Sequence, residues 1–180
     1  MGSLMHEIAH GLGPAFTIQG GKQVDIREAL GPVYSGLEEA KADTAGMFAL
    51  KWLLDRGVMP KDRSEEYYAS YLGDLFRTLR FGTGEAHGRA ELMELNYLLE
   101  QRAVTTADGR YIIDYARIPV ALAQLAKELL EMEGAGDRAR AEAWFAKYDK
   151  LPAGLKAAMA ATAGIPVDVN PIFSFPDKVE

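Results

Sequence analysis

The sequence predicts a mainly α-helical fold with one small β-hairpin. Apolar residues recur at the three-to-four-residue spacing of a helix through most of the 180 residues. Glycine and proline stand between these stretches, where they are expected to end helices. In the stretch AVTTADGRYIIDY, strand-forming residues flank Asp108-Gly109, a dipeptide typical of tight hairpin turns. Val104–Thr106 is therefore expected to pair with Tyr111–Asp114.

The first predicted helix carries an apolar stripe and ends early. The stripe consists of Met5, Ile8, Ala9 and Leu12. Two glycines and Pro14 follow and are expected to end the helix. Residues 15–36 show no long periodicity, which indicates a loop with a short strand near residues 16–19.

Capping patterns predict where the next two helices begin. Ser35 to Glu38 reads S-x-x-E, a capping box, and predicts a helix from Ser35 to about Arg56. Its expected buried stripe consists of Leu37, Ala40, Thr44, Met47 and Phe48. Ser64 is expected to cap the third helix. The later helices are expected to run from after Gly84 to about residue 102 and over about 117–132, 137–148 and 152–163, before an extended tail.

The composition excludes several classes of protein. Net charge is -6, and the 20 lysines and arginines form no basic stripe, so neither nucleic acid nor an anionic membrane surface is an expected partner. No apolar run approaches the ~20 residues that cross a bilayer. The chain has no cysteine, so a metal site must use histidine and carboxylate ligands.

We expect residues 1–180 to form a single mainly helical domain. The opening Met1-Gly2-Ser3 looks like a remnant of a cloning vector. The natural polypeptide is expected to continue upstream of Leu4, so that the chain is a C-terminal fragment of a longer protein.

The stretch HEIAH holds His6, Glu7 and His10 in the pattern H-E-x-x-H. Residues four apart share one face of a helix, so both imidazoles can reach one zinc ion. Glu7 then points beside the metal, where it can act as a general base on water. The alternative is a helix with two ordinary surface histidines.

A third ligand is expected in LEEAKAD, which contains Glu38, Glu39 and Asp43. One carboxylate there can bind the metal while another accepts a hydrogen bond from a ligand histidine. The alternative is a solvated acidic helix start, with Glu38 serving only in the capping box. The remaining histidine, His87, is either a donor in the active-site cleft or a partly exposed residue near a helix start.

The stretches HEIAHGLGP, EEAKADTAGMFAL and GEAHGRAELMELNYLLE, in this order, resemble the dipeptidyl peptidase III family of zinc peptidases. The resemblance implies a helical catalytic region with zinc held by His6, His10 and Glu39, and Glu7 as general base. It also implies that Glu38 and Asp43 hydrogen-bond the ligand histidines, and that His87 helps to hold substrate and stabilise the transition state. Family members remove dipeptides from peptide N-termini and are typically cytoplasmic.

Three departures from the family pattern accompany this resemblance. Many relatives have one more residue inside the histidine motif. The family often places an arginine where this chain has Glu91, and a glutamate cannot supply the positive guanidinium fork. Only five residues precede His6, whereas the family has a large N-terminal lobe that helps to align the peptide.

The sequence therefore predicts zinc-dependent peptide hydrolysis, with release of dipeptides by the full-length protein. The expected partners are a peptide substrate and the missing N-terminal lobe of the same polypeptide. Two alternatives remain open at this point. One is a zinc hydrolase that acts on a different amide substrate, and the other is a non-catalytic helical interaction domain with a vestigial or incomplete metal site.

Overall fold

The computed structural model describes residues 2–152, 154–161 and 164–166, and it is mainly α-helical, as predicted. The helices are α1 (Gly2–Ala9), α2 (Ile26–Leu30), α3 (Tyr34–Asp55), α4 (Ser64–Leu79), α5 (Ala86–Glu100), α6 (Ile118–Ala135), α7 (Arg138–Tyr148) and α8 (Leu155–Ala161). The strands are β1 (Phe16–Gln19), β2 (Lys22–Asp25), β3 (Val104–Ala107) and β4 (Arg110–Ile113). The predicted extended tail beyond residue 166 lies outside the described residues.

The predicted hairpin forms between β3 and β4, in antiparallel register from Val104 opposite Ile113 to Ala107 opposite Arg110. Asp108 and Gly109 at its tip have φ angles of 50° and 72°. Two successive positive φ angles are what a two-residue hairpin loop of this kind requires, and Asp-Gly adopts them readily.

A second hairpin pairs β1 with β2, where the sequence predicted only one short strand within a loop. Its two-residue turn is Gly20-Gly21, again with positive φ angles. Asp25 then caps α2 by accepting a hydrogen bond from the backbone N–H of Arg27. Polar residues on this hairpin hid its strand pattern, because both of its faces are largely exposed.

Helix α3 lies at the centre of the fold and packs against α1, α5 and α6. Gly46 allows α1 to approach closely, since a Cβ atom at this position would lie 3.0 Å from the backbone of Met5 and His6. The small residues Ala9, Ala42 and Ala45 complete this contact. The backbone of α1 is thereby held against α3 with little side-chain bulk between them.

This close approach corrects the predicted apolar stripe of α1. Ala9 is buried and Met5 is half-buried, but Ile8 and Leu12 are 54% and 48% exposed. A helix that packs through small residues buries only a narrow strip of its surface. Phe48, predicted to be buried on α3, is also exposed.

Both predicted helix caps are wrong. Helix α3 begins at Tyr34, directly after a 3-10 turn over Gly31–Val33, and no side chain caps it. Ser64 is the first residue of α4 and likewise follows a 3-10 turn. A 3-10 turn that leads into a helix supplies carbonyl acceptors to the first N–H groups, so a side-chain cap is not needed.

Among the described residues, no helix combines the length and the apolar character that crossing a membrane requires.

Candidate metal centre

Three possible ligand atoms converge between α1 and α3. The Nε2 atoms of His6 and His10 lie 3.0 Å apart. Glu39 Oε2 lies 3.4 Å from His6 Nε2 and 3.6 Å from His10 Nε2. Within the described residues, these side chains are the group of histidines and acids whose geometry could hold a metal ion.

The far side of each imidazole contacts a carboxylate of α3. His6 Nδ1 lies 2.7 Å from Asp43 Oδ1, and His10 Nδ1 lies 3.0 Å from Glu38 Oε1. A carboxylate accepts hydrogen bonds, so each Nδ1 carries the proton and donates it. The Nε2 lone pairs of both rings are then directed toward the same point as Glu39.

This arrangement fits a divalent cation. Glu39 Oε2 is buried and accepts no hydrogen bond from any described residue. Two imidazole lone pairs and a carboxylate oxygen would repel one another if nothing positive lay between them. Two nitrogen ligands and one oxygen ligand also form a donor set that suits zinc and leaves a coordination position open.

The charges at the site favour cation binding as well. The hydrogen bond to Asp43, and then the interaction with the nearby Glu39 carboxylate, raise the pKa of His6 to about 10. In the absence of metal, a proton therefore resides on the cluster at neutral pH. The pKa of Glu39 is lowered, chiefly by its interaction with His6, which keeps the carboxylate ionised and ready to bind a cation.

Glu7 and His87 lie beside these three residues. Both line a cavity of about 500 Å³ that His6 also lines. His87, in the first turn of α5, places Nε2 3.1 Å from Glu39 Oε2, and its side chain remains 58% exposed. Gly88 allows the backbone of the loop before α5 to lie against its first turn, because a Cβ atom there would lie 2.1 Å from the backbone oxygen of Gly82. The structure thus connects six of the residues singled out in the sequence, His6, His10, Glu38, Glu39, Asp43 and His87, and places Glu7 in the wall of the adjoining cavity.

The sequence did not indicate Lys41, which is buried within α3 and 1% exposed. Its ammonium group donates to the backbone carbonyls of Ala9 and Leu12, at 3.0 and 2.9 Å. It also donates to Glu38 Oε1 at 2.7 Å. The one available signal was that Lys41 stands three residues after Glu38, on the same helix face.

The buried acids of α5 were not predicted either. Glu94 is fully buried and accepts a hydrogen bond from Tyr71. Glu91 is 7% exposed, and burial, followed by the charge of Asp43, raises its pKa to about 9. Both acids lie in the part of α5 where every residue from 90 to 95 is buried. Buried glutamates are uncommon without a partner, and each of these two has one carboxyl oxygen that forms no hydrogen bond with a described residue. This region is therefore polar as well as buried.

No protein-family model matches the chain. The chain is 38% identical over 175 residues to the protein named Nudix hydrolase 3 of Arabidopsis thaliana, a match that covers 95% of this chain and 23% of that protein. The name of that relative denotes a hydrolase.

Two solved structures share the fold. Dipeptidyl-peptidase III from Caldithrix abyssi superposes with a TM-score of 0.91 and 34% identity, over 95% of this chain and 33% of that one. Dipeptidyl-peptidase III from Corallococcus sp. strain EGB gives a TM-score of 0.89 and 36% identity, over 94% and 32%. The chain thus spans about a third of the length of these enzymes. This chain shares its fold and 34–36% of its aligned residues with a fragment of dipeptidyl-peptidase III. The resemblance predicted from its sequence is confirmed.

Proposed function

We propose that this chain carries the zinc centre of a peptidase that releases dipeptides from the N-termini of oligopeptides. One observation carries the proposal. His6 Nε2, His10 Nε2 and Glu39 Oε2 converge within 4.8 Å of one another, and the glutamate oxygen is buried without a hydrogen bond. The similarity to dipeptidyl-peptidase III structures supports a peptidase rather than another metal-dependent activity.

His6, His10 and Glu39 would hold the zinc ion, with Asp43 and Glu38 fixing the orientation of the two imidazoles. When bound, zinc supplies Lewis-acid polarisation of the scissile carbonyl and lowers the pKa of the attacking water.

Glu7 serves as the general base in this proposal. It follows His6 directly and lines the same cavity, so its carboxylate lies beside the ligand atoms rather than among them. It accepts the proton of the attacking water and passes it to the leaving amine. His87, at the rim of the same cavity, donates a hydrogen bond to the oxygen on which negative charge develops.

The complete activity requires more than these 180 residues. The chain corresponds to about a third of the dipeptidyl-peptidase III structures, and the proposed substrate cleft forms between this part and an N-terminal lobe of the same polypeptide. In this proposal, the 180 residues form a single mainly helical domain, and the enzyme to which they belong is cytoplasmic. We expect little or no turnover by the 180 residues alone.

The first test is zinc stoichiometry and affinity, measured by competition with a chromophoric chelator after all metal has been removed. One zinc ion per chain is expected, with specific binding lost in Glu39→Ala and retained in Glu65→Ala, which removes an exposed glutamate of α4. Equal zinc binding by both variants would refute the metal centre.

The second test concerns turnover by a polypeptide that includes the N-terminal lobe. Glu7→Gln should keep the zinc ion and lower turnover of a dipeptidyl-arylamide at least ~100-fold, because the base is lost while the ligands remain. An N-terminally blocked arylamide should not be cleaved. Cleavage of blocked and free substrates at equal rates would instead favour a zinc hydrolase for a different amide substrate.

A further inference from the structure

A buried glutamate stands behind each of the two carboxylates that hold a ligand imidazole. Glu94 of α5 interacts with the side chain of Asp43, and Glu133 of α6 interacts with that of Glu38. The two glutamates are 0% and 2% exposed. Both of their helices pack against α3, which carries the carboxylates. The proposed hydrolysis uses neither glutamate.

Each of these glutamates has a carboxyl oxygen that no described residue contacts as a donor. Glu94 accepts a hydrogen bond from the Tyr71 hydroxyl group at Oε2, whereas its Oε1 is buried and accepts none from the described residues. Glu133 Oε1 is likewise buried without a hydrogen bond from any described residue. A fully ionised carboxylate in such a place would be costly, because nothing there replaces the water that it lost.

The two partner carboxylates have donors that stabilise their charge. Asp43 Oδ1 accepts a hydrogen bond from His6 Nδ1 at 2.7 Å. Glu38 Oε1 accepts one from His10 Nδ1 at 3.0 Å and one from the buried Lys41 ammonium at 2.7 Å. Donors of this kind favour the ionised form of an acid. The negative charge of each acid pair therefore resides on the carboxylate that contacts the histidine.

Two neighbouring carboxyl groups that are shielded from water cannot both ionise cheaply, so one of them keeps a proton. Burial, and then the charge of Asp43, raise the pKa of Glu94 well above its ordinary value. Burial, and then the charge of Glu38, raise the pKa of Glu133 to about 8, although Lys41 acts in the opposite direction. The proton of each pair thus lies on the glutamate, and a protonated carboxyl group is a hydrogen-bond donor.

We propose that Glu94 and Glu133 are positioning residues of the metal centre. Each is a neutral acid that donates a hydrogen bond to the carboxylate in front of it, Asp43 or Glu38. A hydrogen bond from an acid to a carboxylate is charge-assisted and about twice as strong as a neutral one, so it keeps the carboxylate from turning away from its imidazole. The inference rests on the proposed function in taking these imidazoles to be zinc ligands, and it extends the support of the site to α5 and α6.

Chelator competition on the 180-residue chain tests the effect on zinc affinity. Glu94→Leu and Glu133→Leu remove the donor, and each should weaken zinc binding about tenfold because the carboxylate is free to turn. Glu94→Gln and Glu133→Gln should restore most of the affinity, since an amide offers one acceptor oxygen and an N–H donor in the same places. Glu65→Leu, which changes an exposed glutamate of α4, should leave the affinity unchanged.

Urea unfolding of the same variants separates positioning from a role in folding. Replacing a buried charged or polar group with an apolar one often leaves stability unchanged or raises it. Weaker zinc binding by a stably folded leucine variant therefore reports the loss of the donor. If a leucine variant does not fold, the corresponding glutamine variant and the proton measurement decide.

Infrared difference spectra of the zinc-free chain at neutral pH measure the proton itself. The unmodified chain compared with Glu94→Gln, and then with Glu133→Gln, should show the carbonyl band of one protonated carboxyl group in each case. Isotope labelling of glutamate carboxyl groups should shift both bands. Glu65→Gln should remove no such band, because an exposed glutamate is ionised at this pH.

The proposal would be overturned if the glutamine variants bound zinc as weakly as folded leucine variants, if the leucine variants kept full affinity, or if the protonated bands were missing. Failure of the zinc centre is a separate outcome. An unmodified chain that binds no zinc would overturn the proposed function, and the infrared bands would still decide whether the two glutamates donate to their carboxylates.

Discussion

The buried ammonium of Lys41 lies 2.9 Å from the backbone carbonyl oxygen of Leu12 and 3.0 Å from that of Ala9, and it joins the last residue of α1 and the turn after it to α3. The carbonyl groups at the C-terminal end of a helix lack donors within it, and an ammonium group can donate hydrogen bonds to them. Lys41 also contacts Glu38, which in turn holds His10. One side chain therefore fixes both the backbone and a ligand of the candidate metal centre.

Replacing Lys41 with methionine should destabilise the protein by about 3 kcal/mol, because the half-buried Glu38 carboxylate and two carbonyls lose their shared donor. Zinc should also bind more weakly. The matched control is Lys51→Met, which breaks an exposed i,i+4 pair with Asp55 and should cost no more than about 0.5 kcal/mol. Urea unfolding of both variants measures the difference, and equal losses would contradict the assigned role.

Asp43→Ala should weaken zinc binding about 10- to 100-fold without removing a ligand, since it frees the His6 ring to rotate. The pKa of His6 in the zinc-free chain should fall, because the hydrogen bond to Asp43 is the largest cause of its rise to about 10. Chelator competition gives the affinity, and NMR titration of the imidazole gives the pKa. Asp62→Ala, at an exposed position, should change neither quantity.

Gly46→Ala tests the close contact of α1 with α3. The added methyl group would meet the backbone of Met5 and His6 at about the 3.0 Å found for a Cβ atom, so α1 must move. We expect a loss of about 1–3 kcal/mol in stability and weaker zinc binding. Gly73→Ala is the control, since nothing lies within 4 Å of a Cβ there and alanine favours the helix by up to about 1 kcal/mol. A neutral result at Gly46 would show that the approach is not tight.

Stability of the zinc-free chain should depend on pH through Glu91. Its pKa is about 9 in the folded protein, compared with an ordinary value of 4.5, so the folded state holds the proton more tightly. The stabilising contribution is therefore complete below pH 4.5 and is lost as pH rises toward 9.

Glu91→Gln removes this dependence and should raise the free energy of unfolding at pH 8 by about 2–4 kcal/mol relative to its effect at pH 4. Urea unfolding at both pH values tests the sign. Glu65→Gln should show no such difference, and a Glu91→Gln variant that gains nothing at pH 8 would mean that Glu91 ionises freely.

Zinc itself should stabilise the fold. Binding to the folded state alone contributes about 4 kcal/mol when free zinc is a thousandfold above its dissociation constant. Thermal unfolding should therefore occur at a higher temperature with zinc and return to its former value after EDTA. Glu39→Ala should show no zinc-dependent shift, and a shift of full size in that variant would assign the metal to other residues.

The sequence alone determined the elements that depend on local spacing. His6 and His10 stand one helical turn apart, as do Glu39 and Asp43, and helix geometry places each pair on one face whatever surrounds it. The Asp108-Gly109 turn similarly requires two positive φ angles, and few other dipeptides adopt them. These local constraints were enough to predict the helical fold, the hairpin and the pairs that share a helix face, whereas the role expected of His87 came from the family resemblance.

Only the tertiary structure decided which faces are buried and which charges meet. Ile8 and Phe48 are exposed, whereas Lys41 and Glu91 are buried. Glu38 contacts His10 and does not cap a helix. These environments depend on how closely α1 and α5 approach α3. Helical spacing fixes what lies on a face but not what that face contacts. Because the environment of a side chain sets its pKa and its partners, the chemistry of the site could be located from the sequence but its arrangement required the fold.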